Sequence, residues 1–205
     1  MPESALSAHI AGELERVGHV VVENFLAAGT IAALAANCRI LDRDARLEHA
    51  AIGHARHRHL DTRLRGDRTH WLDPSDLTAA EASYWTRMDA LRQTLNHVLL
   101  LGLQEFESHY ALFAPGARYA RHRDRFRDDD ARVLSSVLYL NPDWKRASGG
   151  QLRLYLDAAD PSHYLDIYPD AGSLVLFLSA EFEHEVLPAT CDRLSIAGWL
   201  RQAPV

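Results

Sequence analysis

"FEHEVLPATCDRLSIAGWL", residues 182–200, contains two short runs of branched and aromatic residues separated by a turn-like break. Its pattern predicts a β-hairpin, with His184 on the first strand and Arg193 and Ser195 on the second. The same grammar recurs upstream in "FESHYALF", "ARYARHRD", "RVLSSVLYLN", "GGQLRLYL", "HYLDIYP" and "SLVLFLS". Short strands in such number, after a helical first half, predict an α+β chain with a mainly β core. The expected architecture is a double-stranded β-helix, the cupin-like jelly roll, with N-terminal helices supporting one face.

The first half reads differently. Leu6, Ile10, Leu14 and Val17 recur at three- and four-residue spacing and predict a helix over Ala5 to Val17, followed by a strand in "GHVVVENFL". A second helix is expected from Gly29 or Thr30 to about Arg43, then a polar stretch that is largely loop, with a short strand near His70 to Leu72. Asp73-Pro74-Ser75 reads as the cap of the longest helix, whose inner face would carry Tyr84, Met88, Leu91, Leu95 and Leu99. With no repeat or linker, residues 1–205 form one expected domain: 1–104 mainly helical support, 105–201 the jelly-roll core.

The 205 residues are 47% hydrophobic, enough for a real core, and the net charge is −6. That balance argues against nucleic acid as a partner, because phosphate neutralisation needs a basic surface. The apolar run around "NHVLLLGL" is far shorter than the roughly 20 residues of a membrane helix. Two cysteines, Cys38 and Cys191, are too few for a disulfide framework, and no signal-peptide pattern is present. The expected compartment is cytoplasmic, with no membrane partner.

Side chains alternate along a strand, so His122 and Asp124 of "YARHRD" share a face and can hold one ion between them. His184, on a strand that could fold back beside the first, is the third candidate ligand. Two imidazoles and one carboxylate on one face of an iron leave open positions, as in non-haem Fe(II) oxygenases. Arg193 would offer a nearby dicarboxylate a fork of permanent positive charge. By contrast, His54, His57 and His59 are interleaved with arginines, lack recognised zinc-ligand spacing and read as exposed loop. Asp128, Asp129 and Asp130 read as a solvated run.

Taken in order, "YARHRD", "SSVLYLNPDW", "SGGQLRLY", "FEHEVLP" and "RLSIAGW" resemble the 2-oxoglutarate- and Fe(II)-dependent prolyl 4-hydroxylases, especially the hypoxia-inducible-factor prolyl hydroxylases and their bacterial relatives. The resemblance implies His122, Asp124 and His184 on Fe(II), with 2-oxoglutarate and O2 as co-substrates and ascorbate as a supporting reductant. It implies Arg193 and Tyr139 on the distal carboxylate of 2-oxoglutarate, and Tyr119 and Trp199 lining the pocket. It further implies a mobile active-site loop over about residues 63–72 and places Asp67 and Arg132 near the pocket mouth, where their opposite charges are expected to pair when the loop closes. Two positions depart from the family pattern. Phe113 stands where a tyrosine usually precedes "PG", and Ala197 where the animal enzymes carry threonine, leaving Ser195 as the neighbouring hydroxyl.

The implied reaction is hydroxylation of a prolyl residue in a protein, possibilities including transcription and translation factors, with release of succinate and CO2. Two other readings stay open at this level: the same chemistry on a free amino acid or small metabolite, and a non-catalytic module that senses metal or 2-oxoglutarate.

Overall fold

A computed structural model describes residues 3–51, 60–124 and 131–203. Helix α1 (Glu3–Val17), strand β1 (His19–Val22) and helix α2 (Ala28–Arg43) come first. The short strands β2 (Glu48–His49) and β3 (Asp67–Trp71) lead to the longest helix, α3 (Ala79–Leu99). Eight strands follow: β4 (Glu105–Phe113), β5 (Tyr119–His122), β6 (Arg132–Tyr139), β7 (Leu152–Tyr155), β8 (Tyr164–Ile167), β9 (Leu174–Leu178), β10 (His184–Val186) and β11 (Arg193–Arg201).

These strands form two antiparallel sheets. The major sheet runs β1-β9-β6-β11-β4-β3-β2, and the minor sheet β5-β10-β7-β8. The major strands are buried on both faces, which explains their nearly unbroken hydrophobicity. Tyr110 and Leu112 of β4, Leu134 and Leu138 of β6, and Leu194, Ile196 and Leu200 of β11 pack with Ile10, Leu34, Met88 and Leu95 of the helices. The alternate residues Ala111, Phe113, Tyr139, Val175 and Phe177 meet Leu152, Leu154 and Val186 of the minor sheet. The two-residue period thus divides each strand between a helix-facing core and a sandwich interior.

Three local expectations need correction. The cap of α3 is Thr78 and not the Asp73-Pro74-Ser75 turn. Thr78 Oγ1 accepts from the Glu81 N–H while Glu81 Oε2 accepts from the Thr78 N–H, a reciprocal capping box. Asp73 is engaged elsewhere, its Oδ1 accepting from Ser75 N–H and Oγ–H. Second, the short strand expected near His70 to Leu72 spans Asp67–Trp71, reaching into the segment expected as a loop, and pairs with β4 along its whole length, Asp67 opposite Phe113 and Trp71 opposite His109. The backbone groups on that edge of β4 find their partners in β3. Third, β10 and β11 are not a hairpin: β10 pairs with β5 and β7, whereas β11 pairs with β4 and β6. The connection crosses from one sheet to the other, so His184 and Arg193 face each other across the sandwich interior.

Asn141, just beyond β6, holds the start of β11. Its Nδ2 donates to the carbonyls of Pro169 and Leu194 at 2.9 Å, and its Oδ1 accepts from Leu194 N–H at 2.7 Å. All three are buried bonds, and Leu194 adjoins Arg193. Replacing Asn141 with alanine removes all three bonds, at about 1 kcal/mol each, and takes this partner from the Pro169 carbonyl and the Leu194 N–H, while the Leu194 carbonyl keeps the Leu140 N–H. Urea denaturation is expected to show a loss of about 3 kcal/mol for Asn141→Ala.

Candidate active site

His122 closes β5, Asp124 follows two residues later, and His184 opens β10 directly opposite His122. The strand pairing therefore brings two imidazoles together from positions 62 residues apart. Asp124 lies between them, Oδ1 at 3.5 Å from His122 Nε2 and Oδ2 at 3.6 Å from His184 Nε2. One donor atom from each of the three residues lies within 4.8 Å of the others, a spacing that suits a single ion. The His122 Nδ1 sits 2.8 Å from the Ala120 carbonyl, which places the proton on Nδ1 and frees Nε2 for a metal.

Electrostatics prepare the ligands. Burial and the neighbouring His122 push His184 down to about 4, so it offers a neutral lone pair. Burial opposes charge on Asp124, but His184, His122 and a hydrogen bond from Ser135 outweigh it and hold its carboxyl well below the usual range. Ser135 Oγ donates to Asp124 Oδ2 at 2.7 Å and lies 2.9 Å from Ser179 Oγ. A β-bulge completes the arrangement: His184 to Val186 spans two residues while His122 to Tyr119 spans three. The extra residue lets Tyr119 stack on His122, ring centroids 3.6 Å apart.

Across the sandwich, Arg193 is 1% exposed. Its Nε donates to the Gly150 carbonyl at 2.9 Å and its Nη1 to Ser195 Oγ at 3.4 Å, yet no carboxylate among the described residues bonds to it. Gly149 and Gly150 take φ of 72° and 74°, the left-handed region that presents this carbonyl. Phe113 and Tyr139 flank the guanidinium at 5.2 and 5.1 Å. Tyr139 Oη is buried with no hydrogen-bond partner, and burial pushes its pKa up to about 12. A buried cation without an anion, beside an orphaned hydroxyl donor, fits the distal carboxylate of a dicarboxylate.

The cavity between the sheets holds about 550 Å³ and reaches from Phe113 and Arg193, past His122, Asp124 and His184, to Trp71, Trp199 and Glu107. Ala197 also lines it. The expected pair between Asp67 and Arg132 is not formed. Asp67 is gripped by Arg65 through two bonds of 2.8 and 3.0 Å, and Arg132 bonds to Glu107 at 2.9 Å while covering the Trp199 ring. Register explains this: Asp67 sits opposite Phe113, whereas Arg132 sits at the far end of the sheet, opposite Arg201. His54, His57, His59 and Asp128, Asp129 and Asp130 lie outside the described residues.

Among the polar residues at this cavity or its ligands that sequence reading missed are Ser135, Arg65, Glu107 and His109. Their signal was alternation, since Glu107 and His109 break the apolar pattern of β4 only on its inner face. His109 is buried between Trp71 and Trp199, with ring centroids 4.9 and 5.6 Å away.

The 2OG-Fe(II) oxygenase superfamily model matches residues 108–201. A prolyl-4-hydroxylase from Pseudomonas putida is 44% identical over 96% of this chain and 98% of its own, with a TM-score of 0.86. The chain belongs to the 2OG-Fe(II) oxygenase superfamily. A Trichoplax adhaerens prolyl hydroxylase, solved with a peptide fragment of the hypoxia-inducible-factor oxygen degradation domain, is 25% identical over 98% of this chain and 90% of its own, at a TM-score of 0.86. A Phytophthora capsici prolyl 4-hydroxylase shares the fold, at 23% identity over 98% of this chain and 64% of its own, with a TM-score of 0.70.

Membership of this oxygenase family joins the two halves of the site: Fe(II) is the metal, which His122, Asp124 and His184 would hold, and 2-oxoglutarate and O2 are co-substrates. Bound together, they supply oxidative decarboxylation of 2-oxoglutarate coupled to oxidation of a substrate C–H bond. The chain itself orients the metal carboxylate through Ser135, keeps the His122 imidazole in the ligating tautomer and walls the site with Phe177, Leu152 and Val186.

Two outcomes follow. Ser135→Ala should weaken Mn(II) binding, a calorimetric stand-in for Fe(II), by about tenfold, because Asp124 loses the bond that fixes its orientation. His109 is held neutral, its pKa pushed down to about 4 from 6.5 by burial and by Arg65. Its contribution to stability is therefore complete above pH 6.5 and is lost as pH falls toward 4. Between pH 7 and 5 the wild type should lose about 2 kcal/mol that His109→Leu does not, read from denaturation midpoints.

Proposed function

We propose that this oxygenase hydroxylates a prolyl residue within a peptide or protein chain, releasing succinate and CO2. The carrying observation is the length of the cleft. Its lining follows β4 from Phe113 to Glu107, six residues of extended strand or about 20 Å. 2-Oxoglutarate, held by Arg193, Tyr139 and Ser195, needs only the Phe113 end. The remainder, beyond the metal ligands, runs to Trp71, which is 46% exposed at the mouth. A cleft of that length suits an extended chain better than a free amino acid.

Within this reading, Tyr119 and Trp199 form apolar walls beside the target residue, and Arg132, braced by Glu107 and laid on Trp199, meets the substrate from the far end. Asp67 acts indirectly by fixing Arg65, whose guanidinium covers Tyr119 at 4.7 Å. The similarity to prolyl hydroxylases, one of them solved with a peptide, supports proline as the target. Transcription and translation factors are the substrate classes we favour, in the cytoplasm, where the free thiols Cys38 and Cys191 suit the reducing conditions.

The test is mass spectrometry of host lysate supplied with Fe(II), 2-oxoglutarate and either wild-type protein or His122→Ala. A gain of one oxygen on proline, present only with the wild type, is expected. 2-Oxoglutarate consumption without any such peptide would overturn the peptide reading in favour of a small metabolite.

A further inference from the structure

His109 has no part in binding the metal or 2-oxoglutarate. It stands on β4 opposite Trp71 and Ala197, four residues from Phe113 and so about 13 Å along the strand from the co-substrate end. Its Nδ1 lies 3.0 Å from the Tyr110 carbonyl, which sets the proton on that nitrogen. Nε2 is left with a lone pair and no partner among the described residues, on a ring that lines the cleft.

The surroundings fix both the position and the chemistry of this acceptor. Trp71 stands edge-on to the imidazole at 70°, and Trp199 is tilted against it at 49°. The ring has little room to turn. Arg65 and Arg132 both act electrostatically on His109, and the pKa near 4 keeps it an acceptor at neutral pH. A peptide lying along the cleft carries amide N–H groups past Nε2 and the two indole rings, and a neutral amide suits this neutral acceptor.

We propose that His109 is a specificity-determining residue whose Nε2 accepts a hydrogen bond from an amide N–H of the substrate peptide, flanking the residue to be oxidised. This rests on the peptide reading above. The amide can belong to the main chain or to an Asn or Gln side chain, and in either case His109 touches substrate without entering the chemistry at the metal.

A double-mutant cycle tests it. The probes are pools of acetylated, amidated five-residue peptides with proline at the centre and the other positions degenerate. Parallel pools carry an N-methyl group in place of one backbone N–H at a time. Oxygen incorporation is followed by mass spectrometry, and KM values are measured on the best sequences. In His109→Leu the peptide KM is expected to rise about tenfold, the worth of one buried hydrogen bond, while the KM for 2-oxoglutarate holds. His109→Gln, which returns an acceptor, should recover part of the loss.

If the donor is a main-chain amide, the wild type loses about tenfold on N-methylation at one position and His109→Leu loses nothing further. If it is a side-chain amide, the wild type shows an Asn or Gln preference that His109→Leu lacks. An unchanged peptide KM in His109→Leu, or losses from the two changes that simply multiply, overturns the inference while leaving the peptide reading intact. Failure of the wild type to oxidise any peptide overturns that reading and takes the inference with it.

Discussion

The pairing of β5 with β10, which sets His122 opposite His184, is the constraint on which the rest of the site depends. Neither strand is long, at four and three residues, and neither would hold its register alone. They are held because β10 also pairs with β7, and because Val186, Leu152 and Leu154 bury their side chains against Phe177 and Tyr139 of the major sheet. A slip by one residue would turn both the imidazoles and this apolar set away from the interior. Metal geometry and core packing are therefore specified by the same register.

A second consequence concerns charge. The sandwich interior contains the deeply buried guanidinium of Arg193, the imidazoles of His109, His122 and His184 and the carboxylates of Asp67 and Asp124, groups that an apolar core would exclude. Most are compensated locally: Asp124 by both histidines and Ser135, Asp67 by Arg65. Arg193 is the exception. Burial pulls its pKa below the ordinary value, and among the described residues its hydrogen bonds go to a carbonyl and a hydroxyl rather than to a carboxylate. The fold carries that cost because Asn141 and the Gly149-Gly150 turn leave the side chain no route to solvent, and a bound dicarboxylate relieves it.

The helices contribute only indirectly. By covering the outer face of the major sheet they let Tyr110, Leu134, Leu138 and Ile196 be apolar, and the opposite residues of the same strands are then free to be Ser135, His109 and Arg193. The polar network Thr78-Glu81-Tyr110, with Tyr110 Oη donating to Glu81 Oε1 at 2.9 Å, ties the start of α3 to the strand that carries His109.

The sequence by itself determined the helices and the eight core strands, because period and residue type are local properties, while the set His122, Asp124, His184, Arg193 and Tyr139 was implied by the ordered resemblance of its motifs to a family. It did not determine which strands become neighbours. The run from His184 to Arg193 looks like a hairpin locally, and only the competition among sheet edges sends β10 to one sheet and β11 to the other. The strand expected near His70 to Leu72 begins earlier, at Asp67, where polar side chains hide a backbone that is needed to complete the edge of β4. Pairing choices such as Asp67 with Arg65, and the polar roles of Ser135 and His109, arise from register across strands distant in sequence. That information lies in tertiary contacts, where burial and unsatisfied backbone groups decide between arrangements that are equal at short range.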